Sequence, residues 1–243
     1  MKTDAVPNYL IIGNGRVAKH LHFYFDLMKV PFLSWNRREN SEAQLLSMLE
    51  SMEKASNPIV LLPIKDSAIQ EFFDKYISRF KYTAYHFSGA SVINNVLSAH
   101  PLMTFNNDLY TPDFYKKIFF AVSSKTNFTK DFPFLSNPAF ELHNDNKPLY
   151  HAVCVMSGNF PNILWNSCLN VFKSLNIPQE AAFLYLNKTL ENFCKEPKNS
   201  LTGPLVRNDK GTMDKNLAAL NPNMRDMYSA FVKFYFSQFR SKP

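Results

Sequence analysis

Short apolar runs alternate with amphipathic segments along residues 1–146 of the chain. Four of these runs predict buried strands: Tyr9–Ile12, Val30–Trp35, Ile59–Ile64 and Tyr82–Phe87. Between them, apolar residues recur at the three- and four-residue spacing of helices that pack one face against a sheet. Strand alternating with helix predicts an α/β fold with a doubly wound, Rossmann-like parallel sheet.

From Lys147 onward the pattern changes to helices alone. Two more strands are predicted before that point, Ile118–Val122 and Ala139–His143. We therefore expect two domains, a sheet domain over 1–146 and an all-α domain over 147–243. The first long helical segment contains Gly158 and Pro161, so we expect it to kink or restart there.

The last predicted helix, Met224–Phe239, carries more aromatic surface than a small helical unit buries alone. Its aromatic residues include Phe231, Phe234, Tyr235 and Phe239. We expect a homodimer through the C-terminal helices, because a second copy would cover this surface. Docking of the same helix onto the sheet domain is the alternative.

A glycine turn follows the first predicted strand, and it contains Gly13, Asn14, Gly15, Arg16 and Val17. Gly13 allows a tight turn, and Gly15 lets a phosphate come close to the backbone. The free N–H groups at the start of the next helix attract the same anion. These residues predict a dinucleotide site, although similar turns also occur without a ligand.

Asn36, Arg37 and Arg38 follow the second predicted strand. NAD-binding sheets place an Asp or Glu at this point, where it binds the 2′-hydroxyl of the ribose. We expect no carboxylate to be available here, and two guanidinium groups can pair with a 2′-phosphate instead. The expected cofactor is therefore NADP. A solvated pair of loop arginines is the alternative.

Ligands of such sheets bind outside the carboxyl ends of the strands. This rule selects Pro63 and Lys65 after the third strand, and Ser88 and Gly89 after the fourth, as further cofactor contacts. Pro63 lies at the end of its predicted strand, and the other three follow a predicted strand by one or two residues.

Asp66 and His100 are two further polar residues that follow the third and fourth strands. Asp66 is expected to cap the helix after the third strand. His100 lies in the connection after the fourth strand, either as a substrate ligand or as a structural histidine bonded to loop carbonyls.

The net charge of +7 suits an anionic partner without identifying it. The 27 Lys and Arg residues are scattered and form no basic stripe, so we expect no nucleic-acid partner. No apolar run approaches the ~20 residues of a membrane helix, and the N-terminus lacks a secretory pattern. We expect a cytoplasmic protein. The three cysteines have neither zinc-site nor disulfide spacing, so no metal is expected.

Six segments in this order resemble one family: Gly13–Ala18, Leu61–Ile69, His86–Ala90, His100–Phe105, Leu149–Ala152 and Leu201–Asp209. That family joins a Rossmann-like NADP domain to a helical C-terminal domain of unknown function. It is similar in build to pyrroline-carboxylate reductase, ketopantoate reductase and other 6-phosphogluconate-dehydrogenase-like oxidoreductases. The family has glycine where Asn208 stands, and asparagine tolerates the same left-handed backbone, so we expect the turn to survive.

Hydride transfer to C=O or C=N needs a proton donor and a group that orients the substrate. The resemblance implies that both lie on the first long helix after the sheet. On that helix His151 and Asn159 share a face, as candidate general acid and orienting group. We expect no lysine on this face, unlike in relatives that use one. A buried structural role is the alternative for His151.

Thr202 and Arg207 lie between two later helices and are candidate ligands for a substrate carboxylate or phosphate. Asp209 is expected to orient Arg207 or to cap the next helix. An ordinary turn would also explain this segment.

Together these features predict an NADP-dependent oxidoreductase that transfers a hydride to a small carbonyl or imine substrate. A catalytically silent NADP-binding sensor or assembly protein is the alternative, because architecture alone does not set activity.

Overall fold

The computed structural model describes residues 7–239 of the chain. The chain divides into two compact units, Met1–Ile163 and Leu164–Pro243. The first unit contains the whole sheet and also the first helix after it. The domain boundary predicted at 146/147 lies between the last strand and the long helical segment after it, and it stays a prediction.

A seven-stranded sheet forms the centre of the first unit, in the order β2-β1-β3-β4-β5-β6-β7. The strands are β1 (Tyr9–Ile12), β2 (Phe32–Trp35), β3 (Ile59–Leu62), β4 (Thr83–His86), β5 (Leu97–Pro101), β6 (Phe120–Val122) and β7 (Ala139–Glu141). The predicted α/β, Rossmann-like fold is confirmed. Among the described strands β5 and β6 pair antiparallel, and the other neighbouring strands pair parallel.

Strand β5 corrects the expectation that His100 lies in a connection. The apolar pattern is weak in β5 because it contains Ser98 and His100, whose polar groups bond to residues far away in the chain. Buried polar groups with partners are stable in a strand, although they break its apolar signature.

Helices follow the first three strands, as the periodicity predicts, and two short helices follow β5 and β6. They are α1 (Arg16–Leu27), α2 (Glu42–Met52), α3 (Asp66–Phe72), α4 (Pro112–Tyr115) and α5 (Phe128–Asp131). Helix α3 continues as one π-helical turn, Phe73–Ile77. Helix α2 begins with a capping box, in which Ser41 accepts from the backbone of Gln44 and the Gln44 side chain accepts from the backbone of Ser41.

Strand β1 shows why the sheet is covered on both sides. Tyr9 and Ile11 point into one apolar core, whereas Leu10 and Ile12 point into a second core on the opposite face. All four side chains are buried. Because alternate residues of a strand face opposite sides of a sheet, a continuous apolar run is typical of a strand buried between two helical layers.

After the sheet, helix α6 (Lys147–Cys154) runs into a π-helical turn (Val155–Asn159) and then into α7 (Phe160–Ser174). The interruption expected near Gly158 therefore takes the form of a wider helical turn rather than a break. Such turns are frequent at functional sites.

The second unit is helical. It contains most of α7, followed by α8 (Gln179–Lys195), α9 (Pro204–Arg207), α10 (Lys210–Ala219) and α11 (Pro222–Phe239). Asn208 has the left-handed backbone expected of it, with φ 54° and ψ 39°. Asp209 caps α10, because its carboxylate accepts from the backbone N–H of Thr212 at 3.0 Å. Between residues 7 and 239, no helix is both long and apolar enough to span a bilayer.

Candidate functional site

A groove of about 900 Å³ opens at the carboxyl ends of β1, β2 and β3. The strand order reverses here, because β2 and β3 lie on opposite sides of β1. Ligands of doubly wound sheets bind at this reversal. Ten of the predicted cofactor contacts line the groove: Gly13, Asn14, Gly15, Arg16, Val17, Asn36, Arg37, Arg38, Pro63 and Lys65.

Gly13 and Gly15 have different roles in the turn between β1 and α1. Gly13 has φ 132°, and its N–H donates to the carbonyl of Trp35 at 2.8 Å. A Cβ on Gly13 would lie 2.8 Å from the carbonyl oxygen of Pro63, so no side chain fits there. A Cβ on Gly15 would meet no atom within 4 Å. The space beside Gly15 leaves room for a ligand at the start of α1.

Asn36 shapes the loop that carries the two arginines. Its side-chain oxygen accepts from the backbone N–H groups of Arg38 and Glu39, each at 3.2 Å. Arg37 and Arg38 are exposed, and within the described residues neither forms a salt bridge. The turn at Asn36 therefore presents two guanidinium groups at the rim of the groove.

The same turn brings a carboxylate to the end of β2. Glu39 accepts from the Asn14 side chain at 3.3 Å and from the Asn36 side chain at 3.0 Å. The expectation that no carboxylate is available here is therefore wrong. The chain folds back at Asn36, so a residue beyond the arginines reaches the glycine turn.

Aromatic rings line the outer part of the groove. The rings of Trp35 and Phe72 lie 5.9 Å apart, and those of Phe72 and Tyr76 lie 4.9 Å apart. Phe72 and Tyr76 belong to α3 and to the π-helical turn that continues it. Their position past the end of β3 suits contact with a flat ring such as a purine.

Ser88 and Gly89 do not line this groove, although their neighbour Phe87 does. The Ser88 side chain is buried and donates to the carboxylate of Asp66. Sequence analysis expected Asp66 to cap α3, and this expectation is wrong. Asp66 is the first residue of that helix, and its carboxylate accepts a hydrogen bond from Ser88.

Gly89 lies directly against two imidazoles. A Cβ at this position would come within 2.6 Å of Cδ2 of His151 and 3.0 Å of Nε2 of His100. The two rings have centroids 6.3 Å apart, and Nδ1 of His100 lies 2.8 Å from the hydroxyl of Tyr150. Strand β5 and helix α6 thus bring two predicted site residues, His100 and His151, to the end of β4.

Lys147 is the functional candidate that sequence analysis missed. Its side chain is almost wholly buried, and its ammonium group donates to the carbonyl of Ser88 at 3.0 Å and to the hydroxyl of Ser98 at 2.7 Å. The expectation of no lysine beside His151 is therefore wrong. The available signal was its position four residues before His151, which places both on one helical face. Lys147, Ser88, Gly89, His100, Tyr150 and His151 are called the histidine–lysine cluster below.

Burial and charge set the protonation of this cluster. Burial, followed by the charge of Lys147, lowers the pKa of His100 to about 4. The same two causes lower the pKa of His86, the last residue of β4, to about 4. Burial lowers the pKa of Lys147 to about 8. At neutral pH both imidazoles are therefore uncharged, whereas the ammonium group keeps its proton.

The remaining predicted site residues lie elsewhere. Asn159 is exposed in the π-helical turn of the first unit. Thr202 and Arg207 are exposed residues of the second unit, on either side of Gly203. In the part of the chain that the structure describes, no group of three His, Cys, Asp or Glu residues is placed to hold a metal ion.

The sheet, the groove and the helices after it define a Rossmann-like dinucleotide-binding fold with a helical C-terminal region. Residues 130–234 match a family model described as "Domain of unknown function (DUF2520)". No curated protein is significantly similar to the chain in sequence. The match to this model bears out the resemblance to a Rossmann-like domain joined to a helical domain of unknown function.

Solved structures share the fold along nearly the whole chain. BF3122 from Bacteroides fragilis, a candidate NADP oxidoreductase, has a TM-score of 0.75 at 19% identity, over 96% of this chain and 99% of that chain. An imine reductase from Myxococcus stipitatus, in complex with NADP+, has a TM-score of 0.60 at 14% identity, over 97% and 96%. Pyrroline carboxylate reductase from Plasmodium falciparum, with NADP bound, has a TM-score of 0.55 at 10% identity, over 94% and 92%. At such identities the likeness establishes the fold.

Two glycine substitutions form a matched pair. Gly89→Ala should lower the free energy of unfolding by about 1–3 kcal/mol, because the added methyl group displaces the packed imidazoles. Gly15→Ala should change it by less than about 0.5 kcal/mol, because the methyl group meets open space. Urea denaturation of both variants measures the difference. Equal losses in the two variants would contradict the contact described for Gly89.

Proposed function

We propose that the protein is an NADP(H)-dependent oxidoreductase that transfers a hydride to a small carbonyl or imine compound. One observation carries the cofactor assignment: the groove combines open backbone at Gly15 with two exposed guanidinium groups, those of Arg37 and Arg38. The pyrophosphate of a dinucleotide would bind at Gly15, and the 2′-phosphate that distinguishes NADP from NAD would bind the two arginines.

The residues of the groove fit this cofactor part by part. The start of α1 at Gly15 supplies N–H groups and a positive dipole end for the pyrophosphate. Trp35, Phe72 and Tyr76 offer apolar surface to the adenine. Glu39 is held by two side-chain amides rather than by the arginines, so both guanidinium groups stay available for the 2′-phosphate. Bound NADPH would supply the hydride.

The histidine–lysine cluster supplies the candidate for proton transfer. His151 lies against Gly89, two residues past Phe87, which lines the groove. An imidazole can deliver a proton to a forming alcohol or amine near neutral pH. In this proposal His151 is the proton donor, and Asn159 and His100 orient the substrate. Thr202 and Arg207 are the proposed ligands for an anionic group on it.

A catalytically silent NADP-binding protein is the competing proposal. Part of its support was the expected absence of a lysine beside His151, and the buried Lys147 removes that support. Names of structurally similar proteins, such as imine reductase and pyrroline carboxylate reductase, favour a reductase acting on C=O or C=N. Measured oxidation of NADPH with a carbonyl or imine compound distinguishes an enzyme from a catalytically silent NADP-binding protein.

Calorimetric titration tests the cofactor assignment. We expect NADPH to bind more tightly than NADH. The double variant Arg37→Ala/Arg38→Ala should lose about 100-fold in NADPH affinity, because charge-assisted bonds to the phosphate are lost, and little in NADH affinity. Arg79→Ala, which removes an exposed arginine away from the groove, is the control. Equal affinity for both nucleotides would refute the 2′-phosphate assignment, and no binding of either would refute the whole proposal.

NADPH oxidation across a panel of keto acids, aldehydes and cyclic imines tests the activity. With any compound that is turned over, His151→Ala should lower kcat by roughly 10²–10⁴-fold, the usual contribution of a positioned proton donor. Its affinity for NADPH should not change. His143→Ala removes an exposed histidine and is the control. An unchanged kcat in His151→Ala would exclude this residue as the acid, whereas nucleotide binding without any turnover favours the silent alternative.

We further propose a homodimer through the C-terminal helices. The aromatic side chains of α11 support it, because Phe231 and Phe234 are each 54% exposed in the single chain. Sedimentation should show a dimer for the parent protein and a monomer for Phe231→Ser/Phe234→Ser. Lys233→Ser, on the same helix, should leave the dimer intact. A monomeric parent protein would rule out this assembly.

A further inference from the structure

We propose that Lys147 is a positioning residue of the candidate active site. Its ammonium group ties the Ser88–Gly89 turn to strand β5 and places a positive charge between that turn and the strand. The geometric part of this proposal stands on the structure alone. Its relevance to catalysis rests on the proposed function, in which His151 donates a proton.

Three structural elements meet at the Lys147 side chain. It begins helix α6, it donates to the carbonyl that follows β4, and it donates to Ser98 in β5. The two acceptors lie 59 and 49 residues away from Lys147 in the chain. Because His151 is one helical turn beyond Lys147, fixing the start of α6 also fixes the imidazole that packs on Gly89.

An ammonium group is costly to bury, and among the described residues this one has two hydrogen-bond acceptors, Ser88 and Ser98. A methionine would fill the same volume without that cost. The presence of a lysine at position 147 is therefore explained by the charge and the hydrogen bonds of its ammonium group. The hydrogen bonds join the turn after β4 to Ser98, the second residue of β5. The same turn carries Gly89, which meets the rings of His100 and His151.

The charged and titratable groups around Lys147 come from every element packed against it. Asp66 at the start of α3 is the opposing charge, and it is bonded to Ser88. His86 and His100, from β4 and β5, each have their proton affinity lowered by Lys147. Tyr150 and His151 follow on α6, and the charge of His151 opposes that of His100. At neutral pH the positive charge of Lys147 thus stands among three imidazoles.

This arrangement has a chemical consequence. Burial already lowers the pKa of His100 below the value of a free imidazole, and the charge of Lys147 lowers it further. With the ammonium group buried among the imidazoles, protonation of one ring is opposed by a charge that cannot move away. His100 is then a neutral hydrogen-bonding group at neutral pH, and the protein does not lose this form in mild acid.

Histidine titrations followed by NMR test the proposal on the whole protein without any nucleotide. In the parent protein, the ring signals of His100 should titrate below pH 5, with assignment from His100→Asn. In Lys147→Met the midpoint should rise by roughly one pH unit or more, the usual effect of removing a nearby like charge. Lys81→Met, which removes an exposed lysine, should leave the midpoint unchanged.

Two further variants distinguish the effect of the charge from that of the hydrogen bonds. They also keep the proposal testable if Lys147→Met does not fold. Lys147→Gln keeps a hydrogen-bond donor but no charge, so it should raise the midpoint as Lys147→Met does. Ser98→Ala keeps the charge but removes one acceptor, so it should lower stability and leave His100 titrating below pH 6. A folded Lys147→Met or Lys147→Gln with an unchanged midpoint overturns the proposal. So does a parent protein whose His100 titrates near pH 6.5.

Nucleotide titration keeps this proposal apart from the cofactor assignment. Lys147 does not line the groove, so the affinity of Lys147→Gln for NADPH should stay within about threefold of the parent value. If the parent protein binds no NADPH while the histidine midpoints respond as expected, the proposed function fails and the role of Lys147 stands. If NADPH binds and the midpoints do not respond, the reverse holds.

Discussion

The approach of Gly13 to the carbonyl of Pro63 is the constraint on which the rest of the candidate site depends. It lets the end of β1 lie against the end of β3, with no side chain between the two backbones. Helix α1 can then begin directly over the edge of the sheet, with its first N–H groups directed into the groove. The reversal of strand order places β2, with its arginine loop, on the other side of the same turn. Both the pairing of β1 with β3 and the shape of the groove therefore depend on the close approach of Gly13 to Pro63.

Residues whose environment is uniform were predictable from the sequence. Strands β1 and β3 are apolar at every position because both faces are covered, and helices with one apolar face gave the expected period. Strand β5 was not predictable in this way. Its Ser98 and His100 are stabilised by partners outside their own segment, and no local pattern records those partners. The antiparallel pairing with β6 was missed for the same reason.

In the candidate site, too, the residues recognisable from a local sequence pattern were predicted, and those that depend on distant partners were missed. Glycines and arginines of the groove were found because their chemistry depends on a short spacing near one strand. Lys147 and Glu39 were missed because their roles depend on folding: a charged residue at an apparent domain boundary becomes buried, and a loop carboxylate turns back to the glycines. Spacing along one helix did indicate Lys147, since His151 follows four residues later.

The turn built by Asn36 holds Arg37 and Arg38, the proposed ligands of the 2′-phosphate, outside the core. Arg37 and Arg38 are exposed, and the loop keeps its shape through bonds to the Asn36 side chain rather than through packing of the arginines. Changes at these two positions would cost the fold little. The preference for one nucleotide over another is therefore free to drift during evolution while the sheet beneath it stays constant, and a change of cofactor needs no new architecture.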